Sequence, residues 1–384
     1  MSFFAPPPPP ATGLGRYRVL SPLAGIRVSP LQLGAMSIGD KWKGMGAMNK
    51  ESSFKLLDAY YEKGGNFIDT ANGYQDEASE ELIGEWMEAR GIRDQLVIAT
   101  KYTSNFKRGD PNVAQKVNYV GNSTKSLHIS LTASLRKLRT SYIDVLYVHW
   151  WDWGTSVEET MRALHRVVLS GQVLYLGASD MPAWVVAKAN QYARDHGMTP
   201  FSIYQGQWNV MKRSFEREII PMAREEGLAL APWDVLGAGK IRTDAEEAAR
   251  RETGENGRMT FNPDWERTPD ERKVCAALEV VAGQVGVTSI QAVAIAYLMH
   301  KTTHVFPIIG GRKVEHLEAN IAALDIALSP EQIAYLEAAL PFDVGFPASM
   351  IGTGLEDPPL LKSAAHMDRW PLRQPILPVK KSGL

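Results

Sequence analysis

The chain has 384 residues, 45% of them hydrophobic, enough to bury a large core as one big domain or two ordinary ones. A net charge of −1, with acidic and basic residues interspersed, removes the electrostatic case for nucleic acid or an anionic membrane and leaves a small molecule as the expected partner. The single cysteine, Cys275, excludes an intramolecular disulfide framework and a thiolate-rich metal cluster, and no apolar run approaches the roughly 20 residues of a membrane span.

The first segment, MSFFAPPPPP, is Pro-rich and lacks the basic flank and apolar core of a signal peptide. A cytosolic protein is the simplest expectation, with residues 1–15 extended or disordered and outside the fold. From about Arg27, apolar strand-like runs alternate with amphipathic segments. Strands are predicted near Ser29 to Met36, Asn66 to Thr70, Leu96 to Lys101 and Ile143 to His149. Four more follow near Val173 to Ser179, Phe201 to Gln205, Leu228 to Trp233, and His304 to Ile309. Several lack strict alternation, as expected of strands covered on both faces. Eight parallel strands with intervening helices predict an α/β fold, a (β/α)8 TIM barrel over residues 16–340.

Helix punctuation supports that reading. Ser156 with Glu159 predicts a capping box, Val157, Met161, Leu164 and Val168 mark one face, and Gly171 supplies a left-handed end. Asp180 before Pro182 suits a second helix start, ending at Gly197, and Ser329, Pro330 and Gln332 open a third. Three stretches exceed a minimal repeat. Residues 102–122 and the tail 341–384 are candidate walls or lids of a substrate pocket, and residues 240–270 read as a surface excursion.

Asp69, Tyr74, Lys101 and His149 each stand at or just beyond the C-terminal end of a predicted strand, in NFIDTANGY, LVIATK and YIDVLYVHW. The loops after barrel strands build one face, so an acid, a phenol, an amine and an imidazole converge there. A free tyrosine, with a pKa of about 10, is a poor acid at neutral pH, and a neighbouring ammonium favours its phenolate. Lys101 takes that part if held by Asp69, leaving Tyr74 to protonate a developing alkoxide and His149 to orient a carbonyl oxygen or pass a proton. None of these groups carries a hydride, so a reductant must be bound separately.

NFIDTANGY, ATK and YVHW, in this order at these strand ends, resemble the aldo-keto reductase superfamily over about residues 27–340. The resemblance implies that Asp69, Tyr74, Lys101 and His149 form a catalytic tetrad and that NADP(H) binds across the barrel mouth. It implies nicotinamide contacts from Ser179, from Asp180 where the family carries Asn, from Gln205 in IYQGQW and from the ring of Trp233 in LAPWD. FPIIGGRKVEHLEAN resembles the family's last cofactor segment. It places Gly310 and the helix start over the adenosine phosphate, with Arg312 and Lys313 favouring NADP over NAD and His316 and Asn320 on the adenine side. Lys240 in GAGKI is a candidate for the pyrophosphate.

LGAMSIGDKW, ELIGEWMEARG, SLRKLRTSYIDVLYVH and FPIIGGRKVEHLEANI look most like the fungal aryl-alcohol dehydrogenases and the related norsolorinic acid reductases. The reaction implied is reversible reduction of an aromatic aldehyde or ketone with NADPH. Trp42, Tyr102, Trp150 and Trp151 are candidates for an aromatic pocket wall, although adjacent Trp150 and Trp151 point to opposite sides of an extended segment. Among rivals, a Schiff-base aldolase needs a lowered lysine pKa, which Asp69 opposes. No His-x-His follows a strand, so no metal is expected, and the Walker and GxGxxG patterns are absent. A reductase of a fungal polyketide carbonyl, or a nonenzymatic NADP-binding module such as the potassium-channel β-subunits, remains as an alternative.

Overall fold

The computed structural model describes residues 4–45, 47–253 and 264–378. Its centre is an eight-stranded parallel sheet. The strands are β3 (Gln32–Gly34), β4 (Phe67–Asp69), β5 (Val97–Tyr102), β6 (Ile143–Val148), β7 (Val173–Ser179), β8 (Phe201–Gln207), β9 (Ala229–Trp233) and β10 (Ile308–Ile309), in the order β10-β3-β4-β5-β6-β7-β8-β9. Residues before β10 close the ring: Leu230 N donates to His304 O at 2.9 Å and Phe306 N to Leu230 O at 2.8 Å. All eight predicted strands are present, β3 and β10 shorter than their apolar runs.

Alternation along the strands sorts the side chains. Phe67, Val97, Ala99, Val145, Tyr147, Ile203, Ala229 and Ala231 pack together inside the barrel, while Ile68, Ile98, Leu146 and Leu230 pack in the outer core, where the helices lie. An antiparallel hairpin that the sequence reading does not contain, β1 (Arg18–Ser21) and β2 (Ala24–Val28), adds Leu20, Ala24 and Val28 to the interior cluster and plugs its N-terminal end. Leu14, within the segment expected to lie outside the fold, is wholly buried in a 3-10 turn over Gly13–Gly15. Pro6–Pro10 are exposed.

The helix starts follow their capping chemistry with two exceptions, one of them Asp180, since the helix Ala183–Asp195 begins after Pro182 with no side-chain cap. Ser329 and Gln332 make a reciprocal capping box. Ser156 caps its helix by accepting from Glu159 N, but the Glu159 carboxylate turns away to accept from Thr124 N at 2.9 Å, so the expected box is only half made. The excursion at 240–270 is not merely a surface feature. Arg242, Glu247 and Arg267 are buried in one ion-pair cluster, and Lys240, Ile241, Glu246 and Arg250 face the barrel mouth. Residues 254–263 of it lie outside the described residues.

The described part of the tail runs along the outside of the barrel. Arg217 and Arg224, on the outer helix Phe215–Glu226, donate to the carbonyls of Val344 and Thr353, and Arg18 of the bottom hairpin reaches Ile376 O. Among the described residues none beyond Leu340 lines the cavity at the strands' C-terminal ends.

Candidate active site

A cavity of about 1360 Å³ opens at that end of the barrel. It exceeds the roughly 300–1,000 Å³ typical of a site for one drug-sized ligand. Asp69, Lys101, Ser179, Gln205 and Trp233 hold the same strand parity as the interior residues two places earlier, and His149 continues that parity one residue past β6. They therefore form the layer above the apolar filling. Tyr74 comes from the loop after β4, where its N–H donates to Ala71 O at 3.2 Å.

Lys101 lies beneath the cavity floor, fully buried. Its ammonium donates to Asp69 Oδ1 at 2.6 Å, to Thr70 O at 2.7 Å and, at 3.4 Å, to Tyr74 OH. Asp69 Oδ2 accepts from Gln205 Nε2 at 2.8 Å, so both carboxylate oxygens are engaged. The Tyr74 and His149 rings meet edge to face with centroids 6.0 Å apart. The four candidate catalytic side chains are thus brought together.

Their electrostatics depart from the sequence expectation at one point. Burial is the largest influence on Tyr74 and leaves its pKa raised, although the Lys101 ammonium pulls the other way. Burial also works against charge on Lys101, but Asp69 and Tyr74 outweigh it, so the ammonium is held above its ordinary pKa. His149 is pushed down to about 3 by burial and then by Lys101, so it is neutral at physiological pH. It is therefore not an imidazolium with a proton to transfer. Trp150 Nε1 donates to Ser104 Oγ at 3.2 Å, and Ser104 Oγ lies 3.3 Å from His149 Nδ1. A hydroxyl that accepts from the indole N–H keeps its own proton, and it can donate that proton to Nδ1 when the imidazole proton sits on Nε2.

The candidate cofactor residues fall along the same cavity. Asp180, Gln205, Trp233, Lys240, Gly310, Arg312, His316 and Asn320 line it. Asp180 adopts a left-handed conformation, φ 45°, and accepts from Trp233 Nε1 at 3.1 Å. Ser179 is not among the lining residues, and its Oγ is buried with no hydrogen-bond partner among the described residues. Asn320 Nδ2 reaches Gly310 O at 3.4 Å. Two further residues differ from expectation. Lys313 is exposed just before the helix Val314–Ile321 and does not line the cavity. The Lys240 ammonium donates to the carbonyls of Asp264 and Glu266, so it ties down the 264–266 segment instead of standing ready for a pyrophosphate.

Of the expected aromatic wall, Trp42 lines the cavity, edge-on to Tyr74 at 6.1 Å. Tyr102 does not. It follows the inward Lys101 in the same strand, so alternation turns it outward, where its hydroxyl reaches Asn122 O at 3.4 Å. Trp150 and Trp151 do not line the cavity either, Trp150 acting through Ser104 and Trp151 packing in the outer core. Ser104, Asn105 and Arg108, from the loop marked at 102–122, also form the wall, as does Asp234, whose Oδ2 gathers Gln207 and Lys212; none of the four was among the candidates.

An eight-stranded parallel barrel with Asp, Tyr, Lys and His meeting at its C-terminal mouth defines a class, and residues 30–341 match the Aldo/keto reductase family. The chain belongs to that family. It is 60% identical over 385 residues to an aryl-alcohol dehydrogenase [NADP(+)] of Phanerodontia chrysosporium, spanning 99% of this chain and 100% of that one. A putative aryl-alcohol dehydrogenase of Saccharomyces cerevisiae is 57% identical, covering 95% of this chain and 96% of its own length. A norsolorinic acid reductase of Emericella nidulans is 54% identical, covering 90% and 87% respectively. No helix among the described residues is long and apolar enough to cross a membrane.

Proposed function

We propose that the protein is an NADP-dependent oxidoreductase that interconverts aromatic aldehydes or ketones and their alcohols. The observation that carries this reading is the Lys101 ammonium held between Asp69 and the Tyr74 hydroxyl at the floor of a cavity large enough for a dinucleotide and a small substrate. NADPH, when bound, supplies the hydride that no side chain here carries. Tyr74 donates its phenolic proton to the carbonyl oxygen as charge develops there. The Lys101 ammonium stabilises the phenolate left behind, and Asp69 keeps that ammonium charged. His149, neutral, hydrogen-bonds the same oxygen in its Nε2-protonated tautomer and fixes its position.

The unpartnered Ser179 Oγ, the Gln205 amide and the Trp233 ring suit a nicotinamide, and Arg312 beside the start of the helix Val314–Ile321 suits a 2′-phosphate. Trp42 supplies an aromatic wall beside Tyr74. The names of the aryl-alcohol dehydrogenase relatives point to the same substrate class, and the norsolorinic acid reductase to a larger aromatic ketone as a variant of it. A cytosolic setting suits a chain whose only cysteine is a buried free thiol.

The test is the loss of reduced-nicotinamide absorbance with veratraldehyde, NADPH and NADH side by side. Aldehyde-dependent oxidation preferring NADPH is expected. Tight NADPH binding with no oxidation of it by any aromatic aldehyde or ketone would instead indicate a nonenzymatic cofactor-binding module.

A further inference from the structure

The backbone immediately after Tyr74 is strained. Gln75, Asp76 and Glu77, three consecutive residues with ordinary side chains, have φ of 53°, 50° and 83°, a left-handed run that side-chain-bearing residues rarely adopt even singly. Such a run persists only where its surroundings hold every part of it. Gln75 is buried, its Oε1 accepting from Trp42 N at 2.8 Å and its Nε2 donating to Met36 O at 2.9 Å. Asp76 Oδ1 accepts from Trp42 Nε1 at 2.9 Å and pairs with Arg108.

Glu77 joins the connection after β4 to the connection after β5. One oxygen takes the ammonium of Lys107, from the loop after β5, and the other lies 3.1 Å from the ammonium of Lys137. Lys137 ends the helix Thr124–Lys137 and is itself buried. Its ammonium also meets Glu80 at 2.8 Å and donates to Asn72 O at 2.7 Å, two residues before Tyr74. Glu80 in turn accepts from Thr100 Oγ1 at 2.6 Å, the neighbour of Lys101 in β5. Lys137 thus grips the chain on both sides of Tyr74, and Glu80 ties that grip to the strand that presents Lys101.

We infer that the ion cluster of buried Lys137 and Glu80 with half-buried Glu77 is a positioning device that holds the strained loop and so sets the Tyr74 hydroxyl against Lys101. None of the three lines the cavity. A buried ion cluster adds little net stability over an apolar replacement, so its location around a strained segment beside a functional hydroxyl points to geometry. The inference rests on the proposed acid role of Tyr74.

The experiment compares wild type with Lys137→Met and the milder Glu77→Gln in the full-length protein, measuring aldehyde reduction, the pH dependence of alcohol oxidation, NADPH binding by tryptophan fluorescence, and thermal melting. A hydroxyl displaced by about 1 Å costs on the order of 10²-fold in rate. Both variants should therefore lose roughly 10- to 100-fold in kcat while binding NADPH within a few-fold of wild type. The groups facing the Tyr74 phenol are Lys101, Asp69, His149 and Asp180. Of these Lys101 favours phenolate, so a Tyr74 drawn away from it ionises later, and the rise of alcohol oxidation with pH should move to higher pH. Lys137→Arg should recover much of kcat.

A variant that melts lower but keeps the wild-type kcat and pH profile would overturn the inference, as would Glu77→Gln turning over normally. Wild-type protein that reduces no carbonyl would instead remove the reading on which the inference rests, so the two failures are distinguishable.

Discussion

Lys101 Nζ stands 2.6 Å from Asp69 Oδ1, a buried ion pair joining β5 to β4 at the floor of the cavity. Burial alone would drive the ammonium towards its neutral form, and the carboxylate more than reverses this. Asp69→Asn removes the opposing charge. The Lys101 pKa should then fall, and aldehyde reduction should drop by about 10²-fold or more. The residual activity should decline as pH rises through the lowered lysine value. A variant with a wild-type pH profile would show that Asp69 does not set the lysine charge.

His149, held at about 3 by burial and by Lys101, should stay neutral. Its ring proton resonances should not titrate between pH 5 and 8 in an NMR pH series, in contrast to an exposed imidazole near 6.5. The folded value lies below the unfolded one, so the unfolded chain takes up a proton that the folded protein refuses. This site's contribution to stability is present above about pH 6.5 and is lost progressively as pH falls towards 3. A titration of His149 near 6.5 would return it to the role of proton carrier.

Arg312 lines the end of the cavity where the helix Val314–Ile321 begins. Hydrogen bonds to charged groups contribute about 1.5–3 kcal/mol, so Arg312→Ala should weaken NADPH binding on the order of 10- to 100-fold. NADH, lacking the 2′-phosphate, should lose far less. Equal losses in a fluorescence titration would leave no residue-level reason to prefer NADP.

Glu247 is buried between Arg242 and Arg267, with Glu247 Oε2 2.7 Å from Arg242 Nη2 and 2.8 Å from Arg267 Nε. Burial opposes its charge, but the two guanidiniums prevail and lower its pKa to about 2. Glu247→Gln leaves buried positive charge uncompensated and should cost about 3–5 kcal/mol at pH 7, read as a lower melting temperature. Because the folded pKa is depressed, the wild-type advantage exists above the ordinary carboxylate value and should shrink as pH falls towards 2. A variant that melts with wild type at pH 7 would mean that the cluster does not hold the 241–267 segment.

Much of the fold and site was legible because the barrel repeats a simple rule. Strand runs dense in branched residues marked all eight strands, and their C-terminal ends placed the tetrad. The same rule, applied further, would have corrected one error. With Lys101 inward, Tyr102 had to point outward, and parity alone excludes it from the cavity. Other features left no such trace. Ser156 and Glu159 have the spacing of a capping box, yet Thr124 offers Glu159 a competing donor from a helix 35 residues away in sequence. The left-handed run at Gln75–Glu77 lacks the glycine or asparagine that ordinarily marks it, because distant partners rather than local preference impose it. Trp150, a candidate for the pocket wall, instead donates to Ser104 beside His149, a tertiary contact between two loops.

The most direct measurement is the rate of NADPH oxidation by Tyr74→Phe with an aromatic aldehyde, alongside its affinity for NADPH. The phenylalanine keeps the ring against Trp42 and His149 but removes the hydroxyl that meets the Lys101 ammonium at the cavity floor. Turnover should fall by roughly 10²- to 10⁴-fold with NADPH binding nearly unchanged. Turnover at the wild-type rate would contradict the acid role of Tyr74, whatever the affinity for the cofactor.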